Sequence, residues 1–425
     1  MGQGLRSVTR LLQKPCPRGA SAAGYRAVFA VREFRAIFAA HVLSVLGGVF
    51  AEVALAVLVF RQTGSALLTA LVFALGFLPY AVSGVLLSAL ADRYPARRLL
   101  VICDILSAVC MAAMAAPHTP LAALFVLRCA TASIAPLFTG TRAASLAQVL
   151  PNDLYVLGRS LIRIVSQTSQ IIGYGLGGLA LVWLSPRTAL CVAVTTFLGS
   201  ALLLRLGTRS RPARTSAGGA RMRQPLASVG LLLRDRRIRA LLLLWWIPPM
   251  FFVVAEGVAA SYTKDLGTNP AGFGLFLAAM PTGTVTSEVM AGTLLAPATR
   301  DRIVLPLAAV SLLPMVAFAM NPPLALGIGL MLLTGLCAAY TLGMDRWFVE
   351  AVPDRQRGQA MSLLGAGVMT LQGLGMAVGG AIAQVAPGYA VICGAGAIGT
   401  VSVLGVLRSV HRSAERDPVG SGERR

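Results

Sequence analysis

The sequence is poor in what marks a soluble enzyme. Charged residues fill only 12% of its 425 positions, and lysine occurs only at Lys14 and Lys264. Neither lies in a G-x-x-x-x-G-K-[ST] stretch, so the chain lacks the P-loop that would cradle a nucleotide for hydrolysis. His41, His118 and His411 are far apart and form no H-E-x-x-H or other ligand spacing. No G-x-S-x-G turn is present to carry a nucleophile. Seven cysteines, at 16, 103, 110, 129, 191, 337 and 393, show no C-x-x-C spacing and read as small packing residues rather than a metal or disulfide framework. Neither a catalytic constellation nor a cofactor or metal site is expected.

What the chain does have is hydrocarbon: 56% of its residues are hydrophobic. Apolar stretches of membrane-spanning length recur twelve times, at about 36–60, 67–91, 99–116, 120–141, 161–184, 188–206, 240–263, 272–296, 303–320, 324–345, 359–385 and 389–407. None shows the period-two alternation of barrel strands, so every span is expected to be helical. The fold class is therefore an all-α membrane protein with twelve transmembrane helices.

A net charge of +21 in a soluble protein would suggest nucleic acid. Here the placement of the charges matters more, and no nucleic-acid partner is expected. The odd-to-even connections carry only Arg61, Arg187 and Lys264, whereas ten arginines fall between Arg205 and Arg239 and seven basic residues lie in the N-terminal tail through Arg35. The positive-inside rule then places both termini in the cytoplasm of a plasma-membrane protein. The Arg-rich tail is read as satisfying that rule, since it has no cleavage-type signal of a transit peptide.

The polar segment 207–238, rich in Gly, Pro and Arg, divides the spans into six and six. The chain thus parses into a basic tail (1–35), a six-helix bundle (36–206), a cytoplasmic linker (207–238), a second bundle (239–407) and a C-terminal tail (408–425). Shifting the second half back by 204 positions sets Arg239 on Arg35 and Glu256 on Glu52, and a shift of 202 sets "AVGG" (377–380) on "GLGG" (175–178). Such a parallel repeat marks one class of transporter architecture, with its site near the bilayer midplane between the halves.

Glu52 stands inside "GGVFAEVALAVLVF" (47–60), where an ionisable group costs about 3 kcal/mol on insertion scales and so marks a function or a partner. Arg128, in "LFVLRCATAS", is the matching cation. At 1.5 Å per residue both lie roughly 12 Å below the outer surface, and Glu256 falls in nearly the same layer. Asp104, about five residues from the inner end of span 3, is too far in to meet Arg128 and reads as a structural partner of the cytoplasmic loop beneath it. Glu288, in "TVTSEVMAG", is either a second protonation site or a satisfied packing group.

The connection between spans 2 and 3 reads "GVLLSALADRYPARRLL" (84–100). Its Gly84, Asp92, Arg93, Arg97 and Arg98 match the G-x(7)-D-R-x(3)-R-R loop signature, and the chain resembles the major facilitator superfamily over nearly its whole length. It is most similar to the bacterial efflux branch of enterobactin-exporter-like and macrolide-efflux-like proteins. The resemblance implies two pseudo-repeat bundles, a cavity lined by spans 1, 4, 7 and 10 around Glu52, Arg128 and Glu256, and a latch of exchanging ion pairs in the loop. Arg128 matches the family's fourth-helix arginine without the glycine that usually follows. In "GYGLGG" (173–178), Tyr174 replaces the proline of the antiporter motif, and Gly173, Gly175, Gly177 and Gly178 are expected to allow close helix packing.

With no means of nucleotide hydrolysis, uphill movement needs an ion gradient, and protons are the simplest choice. A carboxylate in a water-poor cavity, acted on in opposite senses by burial and a nearby cation, can change protonation in a range that coupling uses. The expectation is a monomeric, lipid-embedded drug-resistance efflux antiporter that exports a small hydrophobic or cationic molecule by alternating access. The alternatives are an inward symporter of the same fold and a membrane sensor that transports nothing.

Overall fold

The computed structural model describes residues 25–150, 152–209, 211, 233–294, 297–352 and 357–416. The tail containing Lys14 and Cys16, and most of the central linker, lie outside the described residues. After a short helix at Tyr25–Ala30, the first six-helix half comprises α1 (Arg32–Thr63), α2 (Ala66–Arg93), α3 (Ala96–Ala115), α4 (Leu121–Val149), α5 (Asn152–Ala180) and α6 (Pro186–Gly207). The second begins with α7 (Arg236–Asp265) and α8 (Pro270–Leu294). It continues with α9 (Pro297–Val310), α10 (Leu324–Leu336), α11 (Arg357–Ile382) and α12 (Gly388–Arg416).

Helix is the state these sequences must take, because hydrocarbon offers no partner for an unpaired backbone group. Among the described residues eight helices are long and apolar enough to cross a membrane, with shorter apolar helices at Ala66–Tyr80 and Leu324–Ala339. Large apolar side chains such as Val126, Leu176 and Val401 are exposed on the outside of the bundle, where lipid would cover them.

Local chemistry fixes several boundaries. Asp235 caps α7 by accepting from the amides of Arg237 (2.8 Å) and Ile238 (3.1 Å). Ser185 caps α6 by accepting from Thr188 N at 3.1 Å, with Pro186 next in the chain. Gly64 ends α1 in the left-handed region (φ 63°) and returns its amide to Phe60 O.

Several helices outrun the apolar windows that announce them. Helix α5 begins at Asn152 rather than 161, and α4 continues to Val149 rather than 141, because a helix does not stop where its side chains turn polar. Span nine is instead interrupted, closing α9 at Val310 and resuming as Leu313–Val316 and a 3-10 turn, Ala317–Met320. Helix α10 likewise passes through a 3-10 turn, Cys337–Ala339, before continuing as Tyr340–Ala351.

Within the first half α1 packs on α5 and α6, and α3 on α4 and α6; in the second, α7 packs on α11 and α12, and α8 on α10. The halves meet through α2 against α11 and α5 against α8. At the end of the bundle that holds the α1–α2 turn, the Gln384 amide oxygen faces the start of α2 and accepts from Ser65 Oγ (2.7 Å), Ala66 N (3.1 Å) and Leu67 N (2.8 Å). At the α5–α8 seam, Gly178 of α5 and Gly274 of α8 touch backbone to backbone: a Cβ on Gly178 would lie 2.6 Å from both Gly274 Cα and Pro270 O.

Candidate functional site

Helices α1 and α4 run antiparallel, so residues at matching depths face each other. Arg128 of α4 forms an ion pair with Glu52 of α1 through Nη2 and Oε1, with both side chains about 15% exposed. The guanidinium is held from a third side, where Nε donates to the carbonyl of Val72 on α2 at 2.9 Å. One turn further along α2, Gly76 makes the arrangement possible. A Cβ there would sit 2.2 Å from Arg128 Nη2 and 3.3 Å from Glu52 Oε1. The depth arithmetic brings out the pair; nothing in "LVFALGFLPY" singles out Gly76 as its seat.

Glu52 and Arg128 line a cavity of about 550 Å³. Its wall comes from α1 through α6 alone, not from α7 and α10 as the resemblance implies. Glu256 is buried on α7, where it feels the charge of Glu52, but it is not part of the wall. The Tyr174 hydroxyl lies in the fields of both glutamates and accepts from Gln170 Nε2 at 3.5 Å. Glu288 on α8 is partly buried and away from the cavity. The middle of the wall is apolar, with Val45, Val49, Met111, Ile134 and Phe138.

A second polar centre closes the other end of the cavity. His41 lies on the same face of α1 as Glu52, eleven residues earlier, which at 1.5 Å per residue is about 16 Å away. Arg142 of α4 donates to His41 Nδ1. A guanidinium can only donate, so the imidazole proton belongs on Nε2, from which it goes to Ser166 Oγ (2.9 Å). Ser166 in turn donates to Ile162 O at 2.9 Å. The Phe138 ring stacks 4.1 Å from the Arg142 guanidinium carbon. The expected span ends at 141, which puts Arg142 in the flank, but the continuation of α4 to Val149 keeps it inside the bundle.

Asp104 is buried at this same end of the cavity, where it accepts from Ser44 Oγ (3.3 Å) and Ser200 Oγ (2.5 Å). Its described partners are thus serines of α1 and α6. Of the loop signature, Gly84, Asp92 and Arg93 lie in the last turns of α2, and their side-chain surroundings are outside what is described. Arg97 donates to the Arg205 carbonyl at the end of α6, and Arg98 is exposed.

The α5 glycines divide by helical face. A Cβ on Gly173 would lie 2.7 Å from Val49, and Gly178 touches α8. Gly177 has neighbours only at ordinary contact distance, 3.4 Å from Phe50. Gly175 has nothing within 4 Å, so its expected packing role is not found. Among the described residues no group of three or more His, Cys, Asp or Glu could hold a metal ion.

A family profile described as Major Facilitator Superfamily matches residues 37–257 and 250–425. Comparison with curated protein sequences finds no match. Among solved structures, the nucleoside transporter NupG is similar at 15% identity over 88% of this chain and 98% of its own, with a TM-score of 0.69. The peptide transporter POT in complex with sulfate is similar at 14% identity over 90% of this chain and 94% of its own, with a TM-score of 0.68. A POT family transporter in complex with 5-aminolevulinic acid follows at 13% identity, 88% and 95% coverage and a TM-score of 0.67. At such identities the likeness is one of fold. The family match spans nearly the whole chain, and with the helix arrangement it leads to one conclusion: this chain belongs to the major facilitator superfamily and is a multi-pass membrane transporter, not an enzyme.

Proposed function

We propose that the protein is a proton-coupled exporter of a small hydrophobic compound, such as a drug, antibiotic or other natural product, working by alternating access. One observation carries this reading: the Glu52–Arg128 ion pair joins two helices across the wall of a cavity whose middle is apolar. A proton on Glu52 removes the charge that holds Arg128, so protonation and the relative position of α1 and α4 become linked. Glu256, within the field of Glu52, serves as the second acid of the coupling pair. In this reading the protein is a monomer of the plasma membrane with both termini cytoplasmic, belonging to the efflux branch.

An observation on cavity charge favours a second reading. Two acids, Glu52 and Asp104, and two arginines, Arg128 and Arg142, line the wall, so the acid surplus that argues for cationic cargo is absent. A balanced cavity suits inward symport of a polar solute as well as export of an apolar one. Reconstitution in proteoliposomes with an internal pH dye separates these: export gives substrate-driven proton movement opposite to the substrate, and symport gives movement with it. Coupling in Glu52→Gln equal to wild type would overturn the proton-coupling role in either direction.

A further inference from the structure

Arg142 stands out among the charged groups of the cavity. It is buried, it lies on the cavity wall, and among the described residues it makes no ion pair. Arg128 by contrast is matched by Glu52. The acid whose charge acts on Arg142 is Asp104, which accepts from Ser44 and Ser200 and makes no direct ion pair with the guanidinium among the described residues. The direct acceptor for Arg142 is the neutral His41 ring, reached through Nη1. Phe138 covers one face of the guanidinium and holds it flat. That leaves Nη2 and Nε, one edge of a planar fork, without an acceptor among the described residues. Such an edge matches the two oxygens of a carboxylate or of a phosphoryl or sulfonyl group.

We infer that the Arg142–His41 end of the cavity is a binding subsite for an anionic group of the cargo, accepted by the Nη2–Nε edge of Arg142. It rests on the reading that this cavity holds the cargo. The apolar middle of the wall then takes the body of the molecule, and the Glu52–Arg128 pair about 16 Å away stays available for coupling. The class of cargo is a hydrophobic acid: an apolar body with one carboxylate or similar oxyanion at its end.

The test uses the full-length protein in lipid nanodiscs and equilibrium dialysis against radiolabelled benzoate, benzyl alcohol and benzylammonium, with empty nanodiscs as blank. These probes share a shape and differ in charge. Benzoate should bind about tenfold more tightly than benzyl alcohol, and Arg142→Gln should erase that preference while Arg142→Lys keeps part of it. Ala135→Trp, which fills the cavity, should abolish binding of all three probes. Equal binding of benzoate and benzyl alcohol, or a benzoate preference that survives Arg142→Gln, overturns the subsite and leaves the cavity reading standing. Binding of no probe, or binding that Ala135→Trp does not touch, overturns the cavity reading and the subsite with it. Should Arg142→Gln fail to fold, Thr139→Cys in a cysteine-free background keeps Arg142 in place. An anionic thiosulfonate should then modify Cys faster than a cationic one, and the reverse order overturns the subsite.

Discussion

Gly76 is the floor on which the Arg128 guanidinium rests. The position a β-carbon would take is 2.2 Å from Nη2, closer than any packed pair of heavy atoms, and the same point is 3.3 Å from the Glu52 carboxylate. The charge pair is thus seated on bare backbone, and a single methyl group there competes with it directly.

Gly76→Ala should therefore push Arg128 off Glu52. Overpacking of this kind costs about 1–3 kcal/mol, and a barrier raised by even the middle of that range slows transport by about tenfold or more. Transport assays beside thermal unfolding would show the activity falling further than the stability. Wild-type transport in Gly76→Ala would mean that the pair has room to spare.

Removing one partner of the pair should cost more than removing both. Arg128→Gln strands a carboxylate, at a cost on the order of 3–5 kcal/mol, whereas the double change Glu52→Gln with Arg128→Gln leaves two neutral amides that can bond each other. The double variant should be the more stable of the two in detergent unfolding. If Arg128→Gln is as stable as the double variant, the ion pair is not what holds α1 to α4 at that depth.

Glu256 should behave in the opposite way. It is buried, and among the described residues it makes no hydrogen bond or ion pair, so its charge is a burden on the fold. Glu256→Gln should leave the unfolding temperature unchanged or raise it, while substrate-driven proton movement in proteoliposomes falls. A marked loss of stability would point to a counter-ion that pairs with it.

Two glycines three residues apart should part company. Gly178→Ala places a methyl against the backbone of α8 and should slow transport by about tenfold through the cost of separating the halves. Gly175→Ala points into open space and should stay within about twofold of wild type, the range of an ordinary surface change. Equal effects would remove the α5–α8 contact from the transport cycle.

Much of this is legible in the sequence. Hydropathy reveals twelve spans because the bilayer imposes one length on all of them, and the Glu52–Arg128 pair follows from depth, since antiparallel helices bring equal depths together. Other features depend on neighbours that a one-dimensional pattern does not carry. Arg142 falls just past an apolar window, and only the continuation of α4 to Val149 brings it inside. His41 has no metal-type partner in the sequence, and its acceptance from an arginine on another helix is visible only in the fold. Gly76 and Gly175 look alike as letters, but one faces a guanidinium and the other faces nothing. Which face a small residue presents depends on neighbours the local sequence does not name.

The bare contact of Gly178 with Gly274 also bears on how the halves move. Interlocked side chains act like gear teeth, so that sliding requires many rotamers to change at once. Two backbones in contact have no teeth. At this seam the halves meet on a smooth surface with little to unlock, whereas at the separate α2–α11 seam the Gln384 amide holds them through three hydrogen bonds. A methyl group at either glycine adds friction to that surface, and the speed of turnover is where it would be felt.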